Sequence, residues 1–175
     1  MKSSFNLIGF IILFAWAWML NSEMRSLRSK NEKDLKGLQT EIANIKESAP
    51  GLGEFMTTMQ LHMGKLWFPA KASNWELAKY ELDELREAMQ SAKSLHEVKN
   101  GVALSNVLDS VLQTQVAQLA ESIKRKSPAE FQKSYDETLG ACNGCHTEAG
   151  YKFIHIVRPI APPVTNQKWE MAHTR

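Results

Sequence analysis

Both cysteines of this 175-residue chain fall in one run, Cys142-Asn143-Gly144-Cys145-His146, which continues an apolar stripe of helical period. Upstream, Phe131, Tyr135 and Leu139 lead to Cys142 and His146 in steps of four, four, three and four. Residues three and four apart share a helix face, so both thiols and the imidazole project to one side of a helix that also supplies core contacts. With both cysteines committed to that face, no disulfide staples the fold. It must be held by its apolar core and by whatever these three side chains bind.

Three further stretches carry helical periodicity, with no convincing strand run between them. The first runs from about Leu52 to Phe68, with Leu52, Phe55, Met56, Met59, Met63 and Leu66 on one stripe and Pro69 as its expected end. The second opens on Ser73-x-x-Glu76, read as a capping box, and carries Ala78, Leu82, Leu85, Met89 and Ala92 before Asn100-Gly101. The third places Leu104, Leu108, Val111, Leu112, Val116, Leu119 and Ile123 on its buried side. The fourth opens on Ser127-Pro128-Ala129-Glu130, a serine cap with proline at the first helical position. Four amphipathic helices with short connections make the expected fold all-α, an antiparallel four-helix bundle over residues 50–150.

C-x-x-C-H is the attachment pattern of a c-type haem: the thiols add to the porphyrin vinyl groups and the histidine becomes an axial ligand of the iron. A structural zinc site would need a second pair of ligands at short spacing, which the sequence lacks. A dithiol oxidoreductase would place its motif at a helix start after a strand. One covalent haem c, anchored by Cys142 and Cys145 and ligated by His146, is therefore the expected cofactor.

The N-terminal region sets the expected location. Phe5 to Leu20 is apolar except for Asn6, slightly short of a comfortable membrane span and longer than the usual core of a signal peptide. Ala15-x-Ala17 resembles a cleavage site, but cleavage there would expose Trp18, Met19 and Leu20 at a new terminus. Residues 1–21 are read as an uncleaved signal anchor in a bacterial inner membrane, with the haem domain in the periplasm. Residues 22–49 are charged and helix-prone; Leu35, Leu38, Ile42 and Ile45 follow coiled-coil spacing, and Met24 and Leu27 sit eleven residues ahead of the first pair. A helical stalk that pairs with another chain and a solvated spacer both fit that pattern. Ala49-Pro50-Gly51-Leu52-Gly53 marks the boundary. A net charge of +2, with no basic stripe interleaved with aromatics, gives no footprint for nucleic acid.

With C-x-x-C-H late in a fourth helix, residues Leu52 to Gly150 resemble the class II cytochromes c, the cytochrome c-prime group. Gln60-x-His62-x-x-Lys65-Leu66-Trp67-Phe68 and Asn74-Trp75-x-Leu77-Ala78-x-Tyr80-Glu81-Leu82-x-Glu84 narrow the likeness to a set of small exported bacterial haem proteins. So does Cys142-Asn143-x-Cys145-His146 with Phe153-Ile154 and Asn166-Gln167 downstream. The resemblance implies thioether anchors at Cys142 and Cys145 and a proximal ligand at His146. The chain departs from that group in offering His62 beside Met56, Met59 and Met63 on the first helix, and in continuing past the motif as an extended strap over 151–175.

His62 lies about 80° from the centre of the first helix's stripe, at the edge of the core and close enough to turn inward. A neutral imidazole there is a strong iron ligand, so His62 is the expected distal ligand, with Met59, Met63 or an open position as alternatives. Lys65 and Arg158 are read as partners of the haem propionates, against the alternative of plain surface cations. His96, His155 and His173 are weaker candidates. The expected role is a membrane-tethered cytochrome passing single electrons to a redox partner protein, with histidine on both sides of the iron. A five-coordinate gas-binding sensor and a haem subunit of a larger membrane complex are the rivals. No nucleophile and base, paired carboxylates or phosphate cradle accompanies the motif, so no enzyme is expected.

Overall fold

The computed structural model describes residues 2–171, with side chains placed from Gly9 onward; His173 lies outside them. The fold is all-α apart from one two-stranded hairpin. The chain divides into two compact units at Ala49 and Pro50.

The first unit is one unbroken helix, α1 (Lys2–Ser48), whose described side chains are all exposed. Among the described residues, no helix is long and apolar enough to cross a membrane. This overturns the expected inner-membrane anchor and the inner-membrane and periplasmic location built on it. The described part of the apolar run, Gly9 to Leu20, rises only about 18 Å at 1.5 Å per residue against the roughly 30 Å of a hydrocarbon core. Asn21, Glu23, Arg25 and Arg28 prevent its extension on the far side. The start of the run, Phe5 to Ile8, lies outside the described side chains.

The second unit contains α2 (Leu52–Lys71), α3 (Trp75–Lys93), β1 (Val98–Lys99), β2 (Val102–Ala103), α4 (Leu104–Gln113), α5 (Gln115–Lys124) and α6 (Pro128–Glu148). α2 packs most extensively on α3, α5 on α6, and α3 also meets α4 and α5. Their apolar stripes meet in one core containing Leu66, Ala78, Leu82, Val116, Leu119, Phe131 and Tyr135. Leu66, Ala78, Val116 and Leu119 are fully buried.

Local chemistry accounts for the boundaries. The Gly51 N–H donates to the Glu54 carboxylate at 2.9 Å, fixing the start of α2. That helix runs through Pro69 to Lys71 instead of stopping at the proline, because a proline in the last turn forfeits only one helical hydrogen bond. Asn74, not Ser73, caps α3: its side-chain oxygen accepts from the Leu77 N–H at 3.3 Å, while Ser73 adopts a left-handed φ of 60°. Ser127 caps α6, accepting from the Glu130 N–H at 3.4 Å, with Pro128 next. The third helical pattern is broken into α4 and α5 at Thr114, whose φ and ψ are −111° and −84°. The Thr114 hydroxyl donates to the Ser110 carbonyl at 2.7 Å, an i to i−4 contact that keeps the residue against the last turn of α4.

The expectation of no strands fails at one place. Asn100 and Gly101 both have positive φ, 50° and 80°, and close the hairpin in which Val98 pairs with Ala103 and Lys99 with Val102. Asn-Gly between valine-bearing pairs is the sequence signal for this turn.

Candidate functional site

The end of α6 is fastened by backbone and side-chain hydrogen bonds. After Glu148 the chain turns at Gly150, whose φ of 88° requires a residue without a Cβ penalty. The Tyr151 N–H donates back to the His146 carbonyl at 2.6 Å and the Ala149 N–H to the Cys145 carbonyl at 2.9 Å. The Asn100 side-chain amide donates to the Glu148 carbonyl at 3.0 Å, tying the hairpin to the same helix end.

From Tyr151 to Met171 the chain has neither helix nor strand, yet it is fastened at intervals. Asn143, the first intervening residue of the motif, exchanges two hydrogen bonds with Ile156: its Nδ2 donates to the carbonyl and its Oδ1 accepts from the N–H, both at 2.8 Å. The Arg158 guanidinium pairs with both Asp136 oxygens and lies 5.0 Å over the Trp67 ring. Trp169 is buried against Phe68 at 5.6 Å, and its carbonyl accepts from Asn74 at 3.1 Å.

A cavity of about 430 Å³ opens between this strap, the last turns of α6, α2 and α4. Cys142, Cys145 and His146 line one side. Met56, Met59 and Met63 of α2 line another, with Leu85 and Met89 of α3 and Leu104, Val107, Leu108 and Val111 of α4 completing an apolar wall. Ile154 and Ile156 of the strap close part of the mouth, and His155 between them is exposed. The volume suits a cofactor-sized guest, and most of the lining is apolar.

The His146 Nδ1 lies 3.0 Å from the Ile154 carbonyl. A carbonyl can only accept, so Nδ1 donates in this contact, and in the neutral ring that tautomer leaves the lone pair on Nε2. Burial, reinforced by the neighbouring Cys145, pushes the Cys142 thiol up to about 11, and burial with Glu148 also raises that of Cys145. Both side chains are therefore thiols at neutral pH. Among the described residues, no group of three or more His, Cys, Asp and Glu side chains is arranged to hold a metal ion. A porphyrin does not need such a group, because its four nitrogens hold the iron and the protein adds only axial ligands.

A raised thiol pKa is also a statement about stability. Between the ordinary thiol range and pH 11 the unfolded chain has lost a proton that folded Cys142 still holds, so folding weakens as pH rises through that window. Buried Tyr135, also raised chiefly by burial, acts in the same direction above pH 10. With both thiols free, the urea midpoint should be flat from pH 6 to 8 and fall between pH 9 and 11. Alkylation of Cys142 should accelerate over the same interval. A midpoint unchanged at pH 11 would contradict the burial of this thiol.

Three residues expected at the site are elsewhere. The His62 Nδ1 is 2.8 Å from Glu81 Oε2, and His62 does not line the cavity; the stripe's edge faces α3, not α6. Lys65 is 2.8 Å from Glu81 Oε1. That contact is an ion pair, and among the described residues no hydrogen bond reaches this oxygen. Arg158 is committed to Asp136 and Trp67 and does not line the cavity. The lysine that does is Lys99, brought there by the hairpin and 2.9 Å from Glu97. Glu81 stands in the sequence as a position of the motif Tyr80-Glu81-Leu82, with no role assigned to it; the structure buries it completely.

Comparison with protein-family models, with curated proteins and with solved structures gave no match, so the meaning of this site rests on its own residues.

Proposed function

We propose that residues 50–171 form an antiparallel four-helix haem domain, with α4 and α5 together serving as one helix, that carries one c-type haem and passes single electrons to a protein partner. Cys142 and Cys145 are the thioether anchors and His146 is the proximal ligand. The observation that carries this is the cavity beside C-x-x-C-H, with His146 held by the Ile154 carbonyl in the tautomer that leaves Nε2 available. When bound, the iron supplies a reversible one-electron couple.

The chain's own residues do the rest. Ile154 and Asn143 orient His146 and the strap above it. The apolar wall keeps water from the cofactor, and Lys99 gives the rim a cation for an acidic edge. His62 is occupied by Glu81, so the bis-histidine arrangement gives way to a methionine of α2, from Met56, Met59 and Met63, as the distal ligand. A thioether in place of the second imidazole raises the reduction potential. In this reading the protein is an electron carrier and not an enzyme.

Expression with a haem-attachment system, followed by absorption and electron paramagnetic resonance, tests each part. Haem should remain bound after acid-acetone extraction, be low-spin, and become high-spin in one of Met56→Ala, Met59→Ala or Met63→Ala while His62→Ala leaves the ligands unchanged. Absence of covalent haem would refute the cofactor assignment. A high-spin wild-type protein that binds carbon monoxide when reduced would instead identify the five-coordinate sensor.

A further inference from the structure

We infer that α1 is one strand of a parallel, in-register, two-stranded coiled coil, and that its partner is a second copy of this chain. Met24, Leu27, Asn31, Leu35, Leu38, Ile42 and Ile45 succeed one another in steps of three, four, four, three, four and three along an unbroken helix. Every apolar member of that stripe is more than half exposed, from 53% at Ile42 to 68% at Met24. An apolar seam of this length on one face of a helix, interrupted only at Asn31, is ordinarily covered.

The steps also define the geometry. Leu35 and Ile42 take a positions and Leu38 and Ile45 take d positions, while the eleven residues from Met24 to Leu35 form one hendecad that keeps the same face inward. In this register Glu41 is a g residue and Lys46 the e residue five positions on. In a parallel homodimer these two meet across the interface, twice by symmetry. An antiparallel pair would set Lys46 near e-type residues and Glu41 near g-type Asp34, losing the attraction. Asn31, the polar member of the stripe at a d-type position, faces its own counterpart only if the two helices are parallel and in register, where the two side-chain amides can hydrogen-bond to each other.

Sedimentation equilibrium of the full-length protein in a mild detergent tests this. The wild type should be dimeric at micromolar concentration, and Ile42→Glu should weaken association at least 100-fold, giving monomers. Glu41→Lys should weaken the dimer several-fold, and adding Lys46→Glu should restore it. A monomeric wild type, a trimer or larger species, an Ile42→Glu protein that still dimerises, or no restoration in the double variant would each overturn the inference. Helical circular dichroism of the Ile42→Glu protein distinguishes loss of the interface from loss of α1.

Discussion

Lys65→Ala is expected to destabilise the second unit by about 3–5 kcal/mol, the range for removing one member of a buried ion pair. The Glu81 side chain has no exposure, and only 14% of Lys65 and 12% of His62 remains exposed. A carboxylate in that position relies on its partners to replace lost hydration. Removing the ammonium leaves, among the described residues, the His62 imidazole as the hydrogen-bonding neighbour, 2.8 Å away on the other oxygen. Urea unfolding should show a lower midpoint with an unchanged slope. Replacing Lys65, Glu81 and His62 together by apolar residues of similar size should recover most of the loss, since it removes the charge along with its partners. If Lys65→Ala alone shifts stability by less than 1 kcal/mol, Glu81 is better solvated than its burial indicates.

That cluster shows how far the sequence could be read and where reading failed. Period and caps located the helices of the second unit, because apolar stripes and Ser127-Pro128 act locally. The split at Thr114 was not legible, since the apolar period continues through it and only the backbone angles change. Cys142, Cys145 and His146 line one cavity, as their spacing of three and four on one helix face implied. His62 was misplaced because a position at the edge of a stripe can turn to either neighbouring helix. The choice was made by Glu81, nineteen residues away on α3, where a histidine offers a buried carboxylate a hydrogen bond. Lys65 follows the same carboxylate. Asn143 was named in the motif but given no role, and its amide is what binds the strap to α6. Interactions that close over long sequence separations leave little trace in local pattern.

Phe131→Ala should be at least as damaging, by about 3–5 kcal/mol, and should separate the core from the site. Phe131 is 1% exposed on the first turn of α6 and lies among three rings, with centroids 5.6 Å from Tyr135, 6.0 Å from Trp67 and 6.4 Å from Trp75. Truncation opens a cavity that rigid aromatic neighbours cannot collapse to fill, and each ring also loses an edge or tilted contact. The same rings brace other elements. The Tyr135 hydroxyl donates to the Met63 carbonyl at 2.8 Å, and Trp67 carries the Arg158 guanidinium of the strap. Loosening the cluster should therefore lower the stability of α2, α6 and the strap together, as one cooperative transition at a lower denaturant midpoint. Phe131 and Cys142 are about three helical turns apart, roughly 16 Å along the axis, so the surroundings of the thiol should persist while the fold does. The pH at which Cys142 becomes reactive should then stay near 11 in the folded variant, despite the large loss of stability. A drop toward the ordinary thiol range in conditions where circular dichroism still reports folded protein would mean that the aromatic cluster and the cavity wall are one structure.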